Sequence, residues 1–208
     1  MTLDRLNMTQ TSSLILMDLR SLTAQALPIV DNVFDTAKST LRAMVTDDGR
    51  ISGALIEANQ TAAHGVAWLA TYTQALHQMQ GWADRLVADG KFGEVEQLIH
   101  QIAFAEYLLQ IAGGIQMNQG EVVRLQDMGL DADVAATLST LAITALTQTG
   151  NTQAVRTRLV VLMQEQAANI TVGASGLDEE LEMIREQFRR FTLEKVEPFA
   201  HDWHLKDE

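Results

Sequence analysis

FGEVEQLIHQIAFAEYLLQIAGGIQMNQGEVVRLQDMGL, residues 92–130, opens as a strongly periodic helix. Val95, Leu98, Ile99, Ile102, Ala105, Leu109 and Ala112 recur at steps of three and four, which places them on one apolar stripe. The pattern fails at Gly113-Gly114, because two adjacent glycines are poor helix interior residues. With no Cβ in the way, another group can approach the backbone closely there. A polar tail follows, with Gln116, Asn118, Gln119, Glu121, Arg124, Gln126 and Asp127. Such an ending is either a tight helix stop or a place where a ligand or another backbone meets the helix.

The preceding stretch, residues 53–87, carries the longest helical pattern in the chain, with Leu55, Ala62, Val66, Leu69, Thr73, Leu76, Ala83 and Leu86 on one face. About 35 residues at ~1.5 Å each predict a rod of roughly 50 Å. Asp89-Gly90-Lys91 is a short connection, so the helices of residues 53–89 and 92–113 must run antiparallel as a central hairpin. Further upstream, Ser12 or Ser13 can cap a helix through Leu19, Leu22 and Ala26, and Pro28 breaks, kinks or restarts it. That pattern resumes through Val33, Ala37, Leu41 and Met44. Thr46-Asp47-Asp48-Gly49-Arg50 reads as a turn. Downstream, the Ala/Thr-rich residues 132–147 predict one helix buried on several sides. Residues 152–170 predict another, with Val155, Leu159, Leu162 and Met163 inward. Residues 173–176, Gly-Ala-Ser-Gly, form the best linker candidate. A last helix starts near Ser175 or Asp178 and runs past Phe199. Its residues Leu177, Leu181, Ile184, Phe188 and Phe191 make a continuous apolar seam, and Glu186 and Arg190 form a supporting pair. No run of alternating β-branched residues and no Asn-Gly hairpin signal is present. The fold class is therefore all-α: an antiparallel helical bundle with a long central helix hairpin, plus one C-terminal helix after a short Gly/Ser linker.

Composition narrows the function. The 208 residues contain no cysteine, which excludes disulfides, a thiol nucleophile and thiolate metal sites. A formal charge of −12 with no basic stripe argues against nucleic acid. The longest apolar run near the N-terminus, Leu14 to Met17, is too short for a signal-peptide core, and no stretch approaches a membrane span. These features suit a soluble, cytoplasmic protein.

Candidate chemistry is sparse. Glu96 and His100 lie four apart on one helix face, but a dimetal bundle needs Glu-x-x-His on two helices, and neither the spacing nor a second copy is present. His64, between Ala63 and Gly65 and ahead of Trp68, reads as a packed histidine bonded to a neighbouring helix. Glu106 interrupts the apolar stretch Ile102 to Leu109; it is either a buried base or a stripe-edge carboxylate beside an arginine, and the second is favoured. Gly-x-Ser-x-Gly, phosphate-loop and dinucleotide motifs are absent. No catalytic residue and no metal ligand is assigned.

Residues 177–208, LDEELEMIREQFRRFTLEKVEPFAHDWHLKDE, resemble the opening helix of the acyl-CoA dehydrogenase family, which ends in Val-x-Pro, here Val196-Glu197-Pro198. Ala63-His64-Gly65-Val66-Ala67-Trp68-Leu69 and Glu106-Tyr107-Leu108-Leu109-Gln110-Ile111-Ala112-Gly113-Gly114-Ile115 resemble a helical extension that some members carry ahead of the catalytic part. Gln110-x-x-Gly113-Gly114, followed by Glu121, Arg124 and Asp127, is similar to a worn copy of the family's C-terminal helical domain, where such a segment lies against FAD. The glutamate that serves many members as base is missing after Met128-Gly129-Leu130-Asp131, so Gln110, Gly113 and Gly114 read as a structural relic.

The resemblance implies a helical extension over 1–172, a linker at 173–176, and at 177–208 the first helix of the family's N-terminal α-domain. The family's β-domain would begin beyond Glu208. The implied parent enzyme uses FAD to dehydrogenate the α,β-carbons of an acyl-CoA, of the methylsuccinyl-CoA kind. Residues 1–208 alone are then expected to bind no FAD and to be structural or oligomerising, with the remainder of the parent polypeptide and a second copy as partners. The competing reading is a self-contained helical binding or adaptor module.

Overall fold

The computed structural model describes residues 14–166 and 172–207. The expected caps Ser12 and Ser13, and residues 167–170 at the end of the expected 152–170 helix, lie outside the described residues. The chain divides into two compact units, residues 1–174 and 175–208.

In the first unit α1 spans Leu19–Met44, α2 Gly53–Ala58, α3 Gln60–Ala88 and α4 Glu94–Gly113. Then come α5 (Ala132–Ala136), α6 (Leu141–Thr149) and α7 (Gln153–Glu165). Helices α3 and α4 form the expected antiparallel hairpin. Trp82 meets Phe92 near the connection, and Tyr72 meets Tyr107 farther along. The α3 stripe is buried as its periodicity predicts, from Ala62 through Val66, Leu69, Thr73, Leu76 and Ala83 to Leu86. α1 packs on α3 and α6, while α4 is covered by α3, α6 and α7. α1 runs on through Pro28, which lies on its exposed side.

Several boundaries differ from the sequence expectation, each for a local reason. The 53–87 rod is interrupted at Asn59, whose side chain turns back to donate to the Leu55 carbonyl, a local bond that competes with the helix ladder. Leu55 is only half-buried, and none of α2 is buried. The α4 stripe holds to Ala105 and then shifts by one residue. Leu108 and Ile111 are buried while Leu109 and Ala112 are exposed. Adjacent leucines at 108 and 109 suit either face, so packing decides between them.

Residues 132–147 do not make one helix. α5 gives way to a short 3-10 turn, and Thr140 restarts the chain as the N-cap of α6, its hydroxyl facing the Ile143 N–H at 3.4 Å. In α7, Val155 and Leu162 are buried but Met163 is exposed.

The absence of strand signals was misleading in two places. β1 (Thr46–Asp47) pairs with β2 (Arg50–Ile51), closing the expected turn into a hairpin with Asp48 and Gly49 both at positive φ. β3 (Ile115–Asn118) pairs with β4 (Glu121–Val123) around Gln119-Gly120. Asn118 accepts from the Gly120 N–H at 2.8 Å and so builds the turn from its own side chain. Ile115 and Val123 face each other across the ladder and are both about 1% exposed. These strands are too short to change the class, and the protein is an all-α bundle.

The second unit holds α8 (Glu179–Lys195) and α9 (Glu197–Lys206). Asp178 caps α8 by accepting from the Leu181 N–H at 2.8 Å, as expected. The expected single helix breaks at Val196, because Pro198 has no N–H to continue the ladder and sits instead in the first turn of α9. Glu186 pairs with Arg189 at 3.2 Å rather than with Arg190.

Candidate functional site

The fold brings residues 63–69 of α3 and residues 106–115, the end of α4 and the start of β3, onto facing surfaces. His64, Trp68 and Tyr72 lie at i, i+4 and i+8 along α3 and so share a side. Their rings meet edge-on at 6.4 and 6.2 Å, and Tyr72 meets Tyr107 of α4 at 4.5 Å. Offset edge-to-face contacts of this kind suit the ring quadrupoles.

A polar chain continues from the rings. The Tyr72 hydroxyl donates to Gln110 Oε1 at 2.6 Å, and Gln110 Nε2 donates to Glu106 at 2.8 Å. Glu106 also accepts from Asn151 at 2.7 Å and from Arg156 at 3.3 Å. Arg156 Nε in turn donates to Asn151 at 2.6 Å. Glu106 is thus the stripe-edge carboxylate beside an arginine, and three donors already occupy it. Burial, reinforced by Tyr107 and the Glu106 charge, pushes the Tyr72 phenol above its ordinary pKa. Tyr72 is therefore a donor at neutral pH.

His64 departs from expectation. It is more than half exposed, and its partners are Trp68 of its own helix and the β3–β4 hairpin. Trp68 Nε1 donates to His64 Nε2 at 3.0 Å, which leaves the proton on Nδ1, 3.6 Å from Glu121. An open cleft of about 420 Å³ lies beside this pair, lined by Ile56, Gln60, Thr61, Ala63, His64 and Glu121.

The glycines divide into two kinds. A Cβ on Gly65 would stand 2.5 Å from Val123 Cγ1 and 2.9 Å from Met128 Cγ, so only glycine lets α3 approach the hairpin. Gly114 has φ +132°, and a Cβ there would meet Val122 Cγ1 at 2.6 Å. Gly113 is different: it is exposed, with nothing within 4 Å of the Cβ position.

Glu96 and His100 do not converge. Glu96 Oε2 accepts from the Gly93 N–H at 3.0 Å and Oε1 from the Ala174 N–H at 2.7 Å. His100 is fully buried between Phe92 and Phe104, with Nε2 3.2 Å from the Thr23 hydroxyl. Thr23 donates onward to Gln80 at 2.7 Å, and Gln80 and Arg20 both reach Asp84. His100 Nδ1 is buried without a well-formed hydrogen bond. Burial, partly offset by Asp84, lowers the His100 pKa to about 4. Among the described residues no group of three or more His, Asp or Glu is placed to hold a metal ion. No helix among them is long and apolar enough to cross a membrane.

Sequence reasoning missed Tyr72, Asn151, Arg156 and the buried Gln101. Gln101 accepts from the Leu16 N–H at 2.7 Å and donates to the Leu14 and Gly150 carbonyls at 3.0 and 3.1 Å. A glutamine inside an apolar stripe was the available signal, since a buried amide must find partners.

No protein-family model matches the chain. Over 194 residues it is 53% identical to a (2S)-methylsuccinyl-CoA dehydrogenase of Cereibacter sphaeroides, a match that takes in 93% of this chain. The chain is homologous to part of an acyl-CoA dehydrogenase. It spans about a third of that relative, 35% of its length. The resemblance carried by residues 63–69, 106–115 and 177–208 therefore extends over nearly the whole sequence. The first two of these stretches are the ones that the central hairpin brings face to face.

Proposed function

We propose that residues 1–208 are the helical, non-catalytic portion of an FAD-dependent acyl-CoA dehydrogenase acting on a methylsuccinyl-CoA-like thioester. The observation that carries this is the 53% identity over 93% of the chain. In this reading residues 1–172 are an extension that scaffolds and oligomerises the enzyme, and residues 177–208 open its N-terminal α-domain. The partners are the remainder of the parent polypeptide and further copies of it, in the cytoplasm. Bound FAD supplies the hydride acceptor for α,β-dehydrogenation.

The residues here do not suit FAD. Gln110 is held at both ends of its amide by Tyr72 and Glu106. Val122 fills the open side of Gly114. These features support reading Gln110, Gly113 and Gly114 as structural.

Two measurements test the proposal. Purified residues 1–208 should emerge colourless from gel filtration; a stoichiometric flavin spectrum would overturn the structural reading of Gln110, Gly113 and Gly114. The native gene product should be longer by intact mass, yellow, and bleached by methylsuccinyl-CoA. A colourless native protein of 208 residues would favour the self-contained binding module instead.

A further inference from the structure

Two side chains from the facing helices of the central hairpin hold both backbone groups of one residue. Glu96 Oε1 accepts from the Ala174 N–H at 2.7 Å, and Trp82 Nε1 donates to the Ala174 carbonyl at 3.1 Å. This is the pair of bonds that a neighbouring strand would supply. Around it, Val172 packs on the small core of Val95, Leu98, Val155 and Leu162. Gly173 turns at φ +77°, with its Cβ position 3.1 Å from Glu96 Oε1 and 3.4 Å from Val95 Cγ1. Phe92 braces Trp82, ring centroids 6.3 Å apart.

We infer that Glu96 and Trp82 form a latch that seats residues 172–174 in the first unit, so that this part of the Gly/Ser stretch is not a free tether. The geometry suits a device that opens and closes. Glu96 Oε2 is fixed on the Gly93 N–H at the start of α4. The carboxylate is thus already ordered before it grips Ala174, and little further side-chain entropy is lost on closing. Oε1 can release Ala174 while Oε2 keeps the helix capped. Opening then frees the chain from Val172 onward without unwinding α4. This inference does not depend on the activity of any parent enzyme.

Hydrogen exchange on residues 1–208 tests it. The 172–176 peptide should be protected at least roughly tenfold over an unstructured peptide. Glu96→Gln, which cannot accept from both N–H groups as a carboxylate does, should abolish most of that protection. Gly173→Ala should do the same through its strained φ and crowded Cβ, while exchange at Gln97–Ile99 stays within twofold of wild type. Trp82→Phe, which keeps the ring and removes the donor, should give an intermediate loss. If the wild-type peptide exchanges at the unstructured rate, or if both Glu96→Gln and Gly173→Ala leave it unchanged, there is no latch.

Discussion

α4 and α8 are both amphipathic helices, yet they fare differently. Along α4, Leu98, Phe104 and Leu108 are completely buried. Along the seam that enters α8, Leu177, Leu181, Ile184, Phe188 and Phe191 are all exposed, Phe188 at 71%. The difference lies outside the helices. α4 has α3, α6 and α7 around it, whereas α8 shares its own unit only with α9. An apolar stripe states what a helix needs; only the surrounding chain decides whether the need is met.

The sharpest way to break this comparison is to cut a large side chain from α4. Phe104→Ala should cost about 3–5 kcal/mol, read as a large drop in the chemical-denaturation midpoint. If it cost no more than an exposed substitution, α4 would not be the packed helix described here.

A pH series probes the same interior. The His100 pKa is lowered from 6.5 to about 4 in the folded state. The unfolded chain therefore binds more protons between those values, and stability falls as pH falls from 6.5 towards 4. At ~1.4 kcal/mol per pKa unit the full effect is at most about 3.5 kcal/mol. His100→Leu should lose stability at neutral pH with the Thr23 bond, but its pH slope between 6.5 and 4 should be shallower than wild type. Parallel slopes would place the proton uptake elsewhere.

Smaller effects separate close packing from open helix surface. Gly65→Ala should cost about 1–3 kcal/mol by forcing Val123 and Met128 apart. Gly81→Ala in the same helix meets only the far end of Arg85 at 3.4 Å, and should stabilise by about 0.5–1 kcal/mol. Thermal melts of the two variants moving in the same direction would contradict this contrast. The smallest expected effect on stability belongs to the seam. Phe188→Asp with Phe191→Asp should leave the melt within about 0.5 kcal/mol while weakening self-association in sedimentation. Unchanged sedimentation would mean that the seam pairs with no second copy.

Much of the fold was legible because helices advertise themselves by period. The α3 stripe from Ala62 to Leu86, the turn at Asp89-Gly90-Lys91 and the Asp178 cap all follow from local chemistry. What stayed hidden was either a turn built by a single side chain or a choice that depends on partners distant in sequence. The β3–β4 hairpin rests on a side-chain-built turn at Asn118 rather than on alternating β-branched residues. Leu108 and Leu109 compete for one place in the core, and only the packed neighbours choose. At the candidate site, Glu106 beside an arginine was readable from its stripe-edge position. Tyr72 and Asn151 were not, because nothing local ties residues 72, 110, 106 and 151 into one chain of donors and acceptors.

Gln101 has a consequence for the order of folding. Its one amide joins residues 14 and 16 to residue 150, through contacts 85, 87 and 49 positions away in sequence. Closing loops of that length is costly in entropy before any bond repays it. The helix hairpin, with its short connection, can form first and present Gln101 ready-made. Docking of Leu14–Leu16 is then a late event, and truncating Gln101 to alanine should accelerate unfolding while leaving the folding rate almost unchanged.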